Sequence, residues 1–383
     1  MRLLHTGDWH VGKTLARHSR IAEAREVLSE LADIAVTERV DLVLVAGDTF
    51  DQLSPSAEAE AAVYDALVEF ERRKIPVVLI SGNHDHAQRW RALEPLLVRF
   101  SILVVPEPRR PDAGGIVEIP ARDGSTSLQV AALPWVPINR LVAAQEMLGL
   151  AEQPFQTYAT EMARILGALC QGFDHAKCNV LAAHLFVSGA IVAGSERALS
   201  IGDLYAVTPQ AMPVSPQYIA LGHVHKAQRV PGVAVPARYS GSLLQLDFGE
   251  VEQEKSVAIV DLEPGKPAEV REVPISGGRR LRDVRGTLEQ LAEFASGADG
   301  DFLRVVLECE ALQPGLGDAV RELLPNALQV TLDYPREEVE RELLDLNELT
   351  ARELFSRYYQ GRHASKPENE LLDLLDELVD EVT

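Results

Sequence analysis

Val77-Val78-Leu79-Ile80-Ser81-Gly82-Asn83-His84-Asp85 is an apolar run that stops abruptly at a glycine and three chemistry-bearing side chains. A short apolar run bounded by glycine reads as a strand buried on both faces. The same design recurs four more times. Arg2 to His5 leads to Asp8-Trp9-His10, and Leu42 to Ala46 leads to Gly47-Asp48. Val180 to Ala183 leads to His184, and Tyr218 to Leu221 leads to Gly222-His223-Val224-His225. In an open α/β sheet the carboxyl ends of parallel strands gather at one edge, where ligands bind. Five strands that each deliver Asp, Asn or His to that edge predict one pocket able to hold two cations.

Around these strands the N-terminal part alternates strand and helix. Ile21, Ala24, Leu28, Leu31 and Ala35 fall at helical spacing, and Ala57 to Arg73 forms a second helix. This βαβαβ order predicts a parallel sheet with helices on its faces. Between about 115 and 135 the pattern is β-like, with turns at Gly114-Gly115 and Asp123-Gly124. Residues 156–171 read as a helix feeding the strand before His184. Ala237 to Tyr239, Ser256 to Leu262 and Val270 to Val273 read as strands closing the first domain. Breaks at Pro264-Gly265-Lys266-Pro267 and Ser276-Gly277-Gly278 mark a boundary. A small α+β domain follows, then a helical tail from Glu342 with Leu346, Leu349, Leu354, Phe355 and Tyr358 before Gly361. A second tail helix carries Leu371, Leu374, Leu375, Leu378 and Val379 beyond Pro367. The expected division is 1–275, 276–340 and 341–383. The tail's amphipathic faces suit docking to a partner and equally suit packing on their own body.

Length and charge set limits. At 383 residues, two or three domains are expected. No apolar run is long enough to span a bilayer and no signal-like N-terminus is present, so a cytoplasmic protein without membrane attachment is expected. Cys170, Cys178 and Cys309 lack CxxC spacing and read as reduced thiols. The net charge of −21 disfavours diffuse coating of nucleic acid, although residues 337–383 carry −9 of it and leave −12 for residues 1–336. Arg279, Arg280, Arg282 and Arg285 form a basic cluster that reads as a loop, either touching phosphates or simply solvated.

Two hard divalent cations need oxygen ligands, some imidazole and a shared carboxylate to relieve their repulsion. Asp8, His10, Asp48, Asn83, His184, His223 and His225 supply that mixture. The absence of thiolate favours manganese or iron over a structural zinc site, with magnesium also admissible. Such a pair lowers the pKa of a shared water and clamps an in-line phosphoryl displacement. His84 suits the stabilisation of developing charge or protonation of the leaving oxygen. Asp85 is expected to orient His84 from behind. Asp51 reads equally as a solvated loop residue. His5, His18, His86, His175 and His363 lack the strand-end context and read as structural.

The ordered set DxH, GD, GNHD, a strand-end His and GHxH resembles the calcineurin-like metallophosphoesterases over residues 8–225. The resemblance implies that Asp8, His10, Asp48 and His225 hold one metal. It implies that Asp48 as bridge, with Asn83, His184 and His223, holds the second, with His84 as the catalytic imidazole and Asp85 beside it. Further stretches are similar to the SbcD family: His184 to Ala190, Ala220 to Lys226, Tyr239 to Leu244, Phe248-Gly249-Glu250, Lys255, and the tail from Leu354 to Leu371. That resemblance implies a manganese-dependent DNA nuclease, exonucleolytic in the 3′→5′ direction on duplex ends and endonucleolytic on single strands and hairpins. It implies a homodimer joined through helices near the active site. It further implies a heterotetramer with the coiled-coil ATPase SbcC, gripped by the tail helices, and a cap domain that seats DNA. One departure stands out: archaeal relatives place a second catalytic His where this chain has Asp51. Two other functions fit the same ligand set, a small-molecule phosphodiesterase or phosphatase and a scaffold with a vestigial site.

Overall fold

The computed structural model describes residues 1–141, 143, 157–196, 204–295, 300–311, 313–335, 350–363 and 366–380. The chain enters on β1 (Arg2–Thr6) and makes a small hairpin, β2 (Thr14–Leu15) and β3 (His18–Ser19). It then alternates through α1 (Ile21–Thr37), β4 (Leu42–Val45), α2 (Ala57–Arg72), β5 (Val77–Ile80), α3 (Ala87–Leu97) and β6 (Ile102–Val105). Strands β1, β4, β5 and β6 pair in parallel, as the βαβαβ pattern predicts. Their side chains alternate between two cores. Leu4, Val43, Val45, Val77 and Leu79 meet α1 and α2, while Leu3, Leu42, Leu44, Val78 and Ile80 face the other way. Burial on both faces is why these strands are continuous apolar runs.

What covers the second face is another sheet. It comprises β7 (Ile116–Pro120), β8 (Ser127–Leu133), β9 (Cys178–His184), β10 (Tyr218–Gly222), β11 (Gln228–Arg229) and β12 (Ala237–Tyr239), with α4 (Tyr158–Cys170) between β8 and β9. Its order is β11-β12-β10-β9-β8-β7, and Val130, Ala132, Val180, Ala182, Tyr218 and Ala220 meet the first sheet. The single sheet edge expected from the sequence is therefore two edges, belonging to two sheets packed face to face. The strands expected to close the domain divide between them. β12 joins the second sheet, whereas β13 (Ser256–Asp261) and β14 (Glu269–Pro274) return to the first, β13 antiparallel beside β1.

A smaller layer follows: β15 (Leu281–Gly286), α5 (Leu288–Ala295), β16 (Phe302–Glu308), α6 (Leu316–Leu323) and β17 (Ala327–Asp333). The three strands are parallel in the order β15-β16-β17. This cap has its own core of Leu291, Leu303, Val305, Leu307, Val320 and Leu324. Phe302 and Leu281 also pack on Leu15 and Phe248, so residues 1–333 form one compact unit. The linker before the cap is fastened rather than loose. Glu30 accepts from the Ser276 and Gly277 N–H groups, and Glu23 accepts from that of Arg279.

Residues 334–383 form a second unit. It contains α7 (Ala351–His363) and α8 (Asn369–Asp380), clasped by Arg352 to Asp373 and Asp376. Helix α7 runs through Gly361 to His363, and α8 begins at Asn369, beyond Pro367 as the sequence predicts. Leu346 and Leu349 lie outside the described residues. No helix among the described residues is long and apolar enough to cross a membrane. Cys170 and Cys178 are buried and Cys309 is half-buried, all three as free thiols.

Candidate metal centre

All five clusters lie at or just beyond the carboxyl ends of β1, β4, β5, β9 and β10, and they meet. Asp8, His10 and His225 place ligand atoms within 4.8 Å of one another, as do His10, Asp48 and His84, and Asp48, His184 and His223. Asp48 belongs to two of these groups. Its Oδ2 lies 3.3 Å from His184 Nε2 and 3.7 Å from His10 Nε2, the position of a shared carboxylate.

Local backbone geometry makes this convergence possible. Asp8, His10, Asp48 and His223 all have positive φ, at 49°, 45°, 50° and 106°. Non-glycine residues seldom adopt this region, and such strain concentrates at functional sites. Glycines directly before Asp48, Asn83 and His223 allow close approach. A Cβ on Gly47 would strike the His184 ring, one on Gly82 the Asp48 carboxylate, and one on Gly222 the Ala46 carbonyl. The loops are also cross-tied. Asp8 N–H donates to Gly47 O at 2.9 Å, and His10 N–H donates to Asp48 O at 3.0 Å. The Asp8 carboxylate accepts from His223 N–H at 2.9 Å, and Asp48 Oδ1 accepts from His84 N–H at 2.7 Å.

Two imidazoles have a tautomer fixed by a backbone carbonyl. His184 Nδ1–H donates to Ala46 O at 2.7 Å, so in the neutral ring its lone pair sits on Nε2. That Nε2 lies 3.0 Å from Asn83 Oδ1, and His223 Nδ1 lies 2.8 Å from the same oxygen. His84 Nδ1–H donates to the backbone carbonyl of Asp51 at 2.7 Å. His225 Nδ1 meets Ser195 Oγ at 2.5 Å, while its Nε2 faces His10 Nε2 at 3.0 Å. Oxygen and nitrogen lone pairs thus converge on one another without enough protons between them, a donor set that a cation satisfies. Buried His10 Nδ1 and Asp51 Oδ1, 3.4 Å apart, each lack a close hydrogen-bond partner.

The buried charges point the same way. Burial pushes the Asp8 carboxyl up to about 7, with the neighbouring Asp48 charge adding to it. Burial acts upward on Asp48 too, but the charge and hydrogen bond of His184, then His84 and His10, hold it well below the usual range. His184 is lowered by burial and raised more strongly by Asp48 and Asp8, to about 9. Protons on Asp8 and His184 therefore offset charge where a divalent ion would otherwise do so.

Some expectations change. Asp85 does not take the orienting role assigned to it. Its carboxylate accepts from the N–H groups of Thr49, Phe50 and Gly82, which welds the β4 and β5 loops together. One contact that orients His84 comes from the Asp51 carbonyl, a backbone atom that a side-chain pattern does not mark. The arginine cluster is only partly a loop: Arg279 and Arg280 precede β15, whereas Arg282 and Arg285 lie on it. Arg285 pairs with Glu308 and Asp333, Arg282 lies 3.5 Å from Asp301, and Arg279 sits over the Phe302 ring. Arg280 is exposed just before the strand. Two residues without a sequence signal also reach the site. Trp135 stacks on His223 with ring centroids 5.1 Å apart, and Glu196 accepts from His225 N–H at 3.1 Å.

Comparison with known proteins agrees with this geometry. Residues 1–227 match the family of calcineurin-like phosphoesterases, and residues 278–363 match the type 5 capsule protein repressor C-terminal domain. The SbcD subunit of nuclease SbcCD from Bacillus subtilis is 31% identical, covering 99% of this chain and 97% of its own. The SbcD subunit from Rhodobacter capsulatus is 34% identical over 81% of each chain. That of Escherichia coli is 28% identical over 76% of this chain and 72% of its own. Calcineurin-like in its catalytic fold and similar to these nuclease subunits almost from end to end, the chain belongs to the SbcD family of metal-dependent phosphodiesterases.

Proposed function

We propose that this protein is a DNA nuclease that works with two manganese ions, with magnesium or iron as admissible substitutes. The observation that carries the reading is the shared Asp48 carboxylate with lone-pair donors converging on both of its sides. Asp8, His10, Asp48 and His225 would hold one ion, and Asp48, Asn83, His184 and His223 the other. When bound, such a pair lowers the pKa of a water and offsets charge on the phosphoryl oxygens. The chain's own part is positioning. The Asp51 carbonyl keeps the proton of His84 on Nδ1, so Nε2 carries the lone pair in the neutral ring. Once protonated, the same nitrogen can neutralise phosphoryl charge or protonate the leaving oxygen. Asp85 serves by fixing the backbone on which Asp48 and His84 ride.

The substrate is double- and single-stranded DNA, with 3′→5′ exonucleolytic action on duplex ends and endonucleolytic action on single strands and hairpins. The extent of the similarity to nuclease subunits supports this over a small-ester hydrolase, since it covers cap and tail as well as catalytic domain. The domains are a nuclease body at 1–275, a cap at 276–340 that seats DNA, and a tail at 341–383 that docks a coiled-coil ATPase of the SbcC type. Two nuclease chains and two ATPase chains form a heterotetramer in the cytoplasm, the nuclease chains making a homodimer. In this arrangement the partner supplies much of the positive surface that a chain of net charge −21 lacks.

The test is cleavage by purified protein with manganese of linear duplex, hairpin DNA and a generic phosphodiester. Activity on both DNAs is expected; activity on the small ester alone overturns the nuclease reading. Deleting residues 345–383 should abolish co-purification with the ATPase and leave manganese binding intact. Co-purification that survives the deletion rejects the docking assignment.

A further inference from the structure

Behind His225 lies a buried polar chain that the ligand set does not include. Glu250 is fully buried and Lys255 is only 8% exposed, and Lys255 Nζ donates to Glu250 Oε2 at 2.6 Å. Ser242 Oγ at 2.9 Å, the His225 carbonyl at 3.1 Å and Gln253 Oε1 at 3.0 Å share the two remaining ammonium hydrogens of Lys255. Glu250 Oε2 accepts a second bond from Leu246 N–H at 3.2 Å. The other carboxylate oxygen, Oε1, accepts the hydroxyl hydrogen of Ser195.

Proton counting then fixes His225. A serine hydroxyl has one hydrogen, and a carboxylate paired with a lysine has none to give. With its hydrogen committed to Glu250, Ser195 Oγ can only accept at its 2.5 Å contact with His225 Nδ1. The imidazole proton therefore sits on Nδ1, and the Nε2 lone pair points at the cluster of Asp8 and His10. The same loop holds the backbone of His225 through Glu196, which also accepts from the N–H groups of Ala193 and Gly194.

We propose that Ser195, anchored by the Glu250–Lys255 ion pair, is a positioning residue that locks His225 in the tautomer able to ligate a divalent cation. The proposal rests on the assignment of Asp8, His10, Asp48 and His225 to one cation. It links that site to the loop after β9, 30 residues before His225 in the chain. Ligand histidines whose other nitrogen is fixed by a hydrogen bond bind metal more tightly, and loss of that partner costs ~10–100-fold in affinity.

The test uses the full chain, with Mn²⁺ titrations followed by electron paramagnetic resonance of the free ion. Ser195→Ala should weaken one of two sites by roughly 10–100-fold, and Ser195→Thr, which keeps the hydroxyl, should restore it. Thermal melts in EDTA check that the variants fold. A second readout needs no metal and no variant: imidazole ¹⁵N shifts of wild-type protein should place the His225 proton on Nδ1. A proton on Nε2 overturns the proposal. So does unchanged manganese affinity in Ser195→Ala when His225→Ala has lost a site, an outcome that leaves the cation assignment standing. Two intact sites in His225→Ala would remove the cation assignment itself, and this proposal with it.

Discussion

At the scale of single residues the site is governed by how buried charge is balanced. Asp8 and Asp48 are at most 1% exposed, and protons held by Asp8 itself and by His184 balance their charge. A cation competes with those protons. Manganese affinity should therefore fall as pH drops through about 9, where His184 takes its proton, and again near 7 for Asp8. Calorimetry in buffers of different ionisation enthalpy checks this; binding without proton release would contradict it. His84 has a different task, so His84→Ala should lower single-turnover cleavage by about 10²–10⁴-fold while both manganese sites persist. His5 shows the opposite sign of linkage. Burial between the sheets, with the Arg238 charge, lowers it to about 3, so it contributes stability above its unfolded pKa of about 6.5. That contribution is lost as pH falls from about 6.5 toward 3. That the site's side chains gather was legible in the sequence because each cluster follows an apolar run. The jobs of Asp85 and Asp51 were not, because each acts through backbone atoms of loops remote in sequence.

At the scale of elements, glycines decide whether neighbouring loops can nest. Gly222 sits where a Cβ would run into the Ala46 carbonyl, a backbone atom that cannot swing aside. Gly222→Ala should cost about 3 kcal/mol, read from urea unfolding in EDTA. Gly167 is the contrast. It lies inside α4 with nothing within 4 Å of where a Cβ would sit, so Gly167→Ala should gain roughly 0.5–1 kcal/mol. An equal effect at the two positions would refute the steric account. Element type was legible where periodicity was strong, as in α1, α2 and the five strands. β15 was not, because Arg279 to Arg285 alternates weakly and Arg285 finds its partners across the strands, on Glu308 and Asp333.

For the whole molecule, the pocket exists because two sheets stack with their ligand-bearing edges together. Metal should then act as a staple between them, since Asp8, His10, Asp48 and Asn83 come from the first sheet and His184, His223 and His225 from the second. At a hundredfold excess over the dissociation constant, one site contributes about 2.7 kcal/mol. Manganese should raise the melting temperature by several degrees and EDTA should reverse it; an unchanged melt would rule out ligands shared between the sheets. By itself the sequence determined the family, the clusters that meet at the strand ends and the parallel βαβαβ half, because apolar runs and the residues after them are local patterns. Only the tertiary structure decided that the strands form two sheets, since a strand buried on both faces carries no mark of what lies against each face. The same holds for Ser195, Glu196 and Glu250. Their meaning is which proton goes to which atom, and that depends on contacts between loops far apart in the chain.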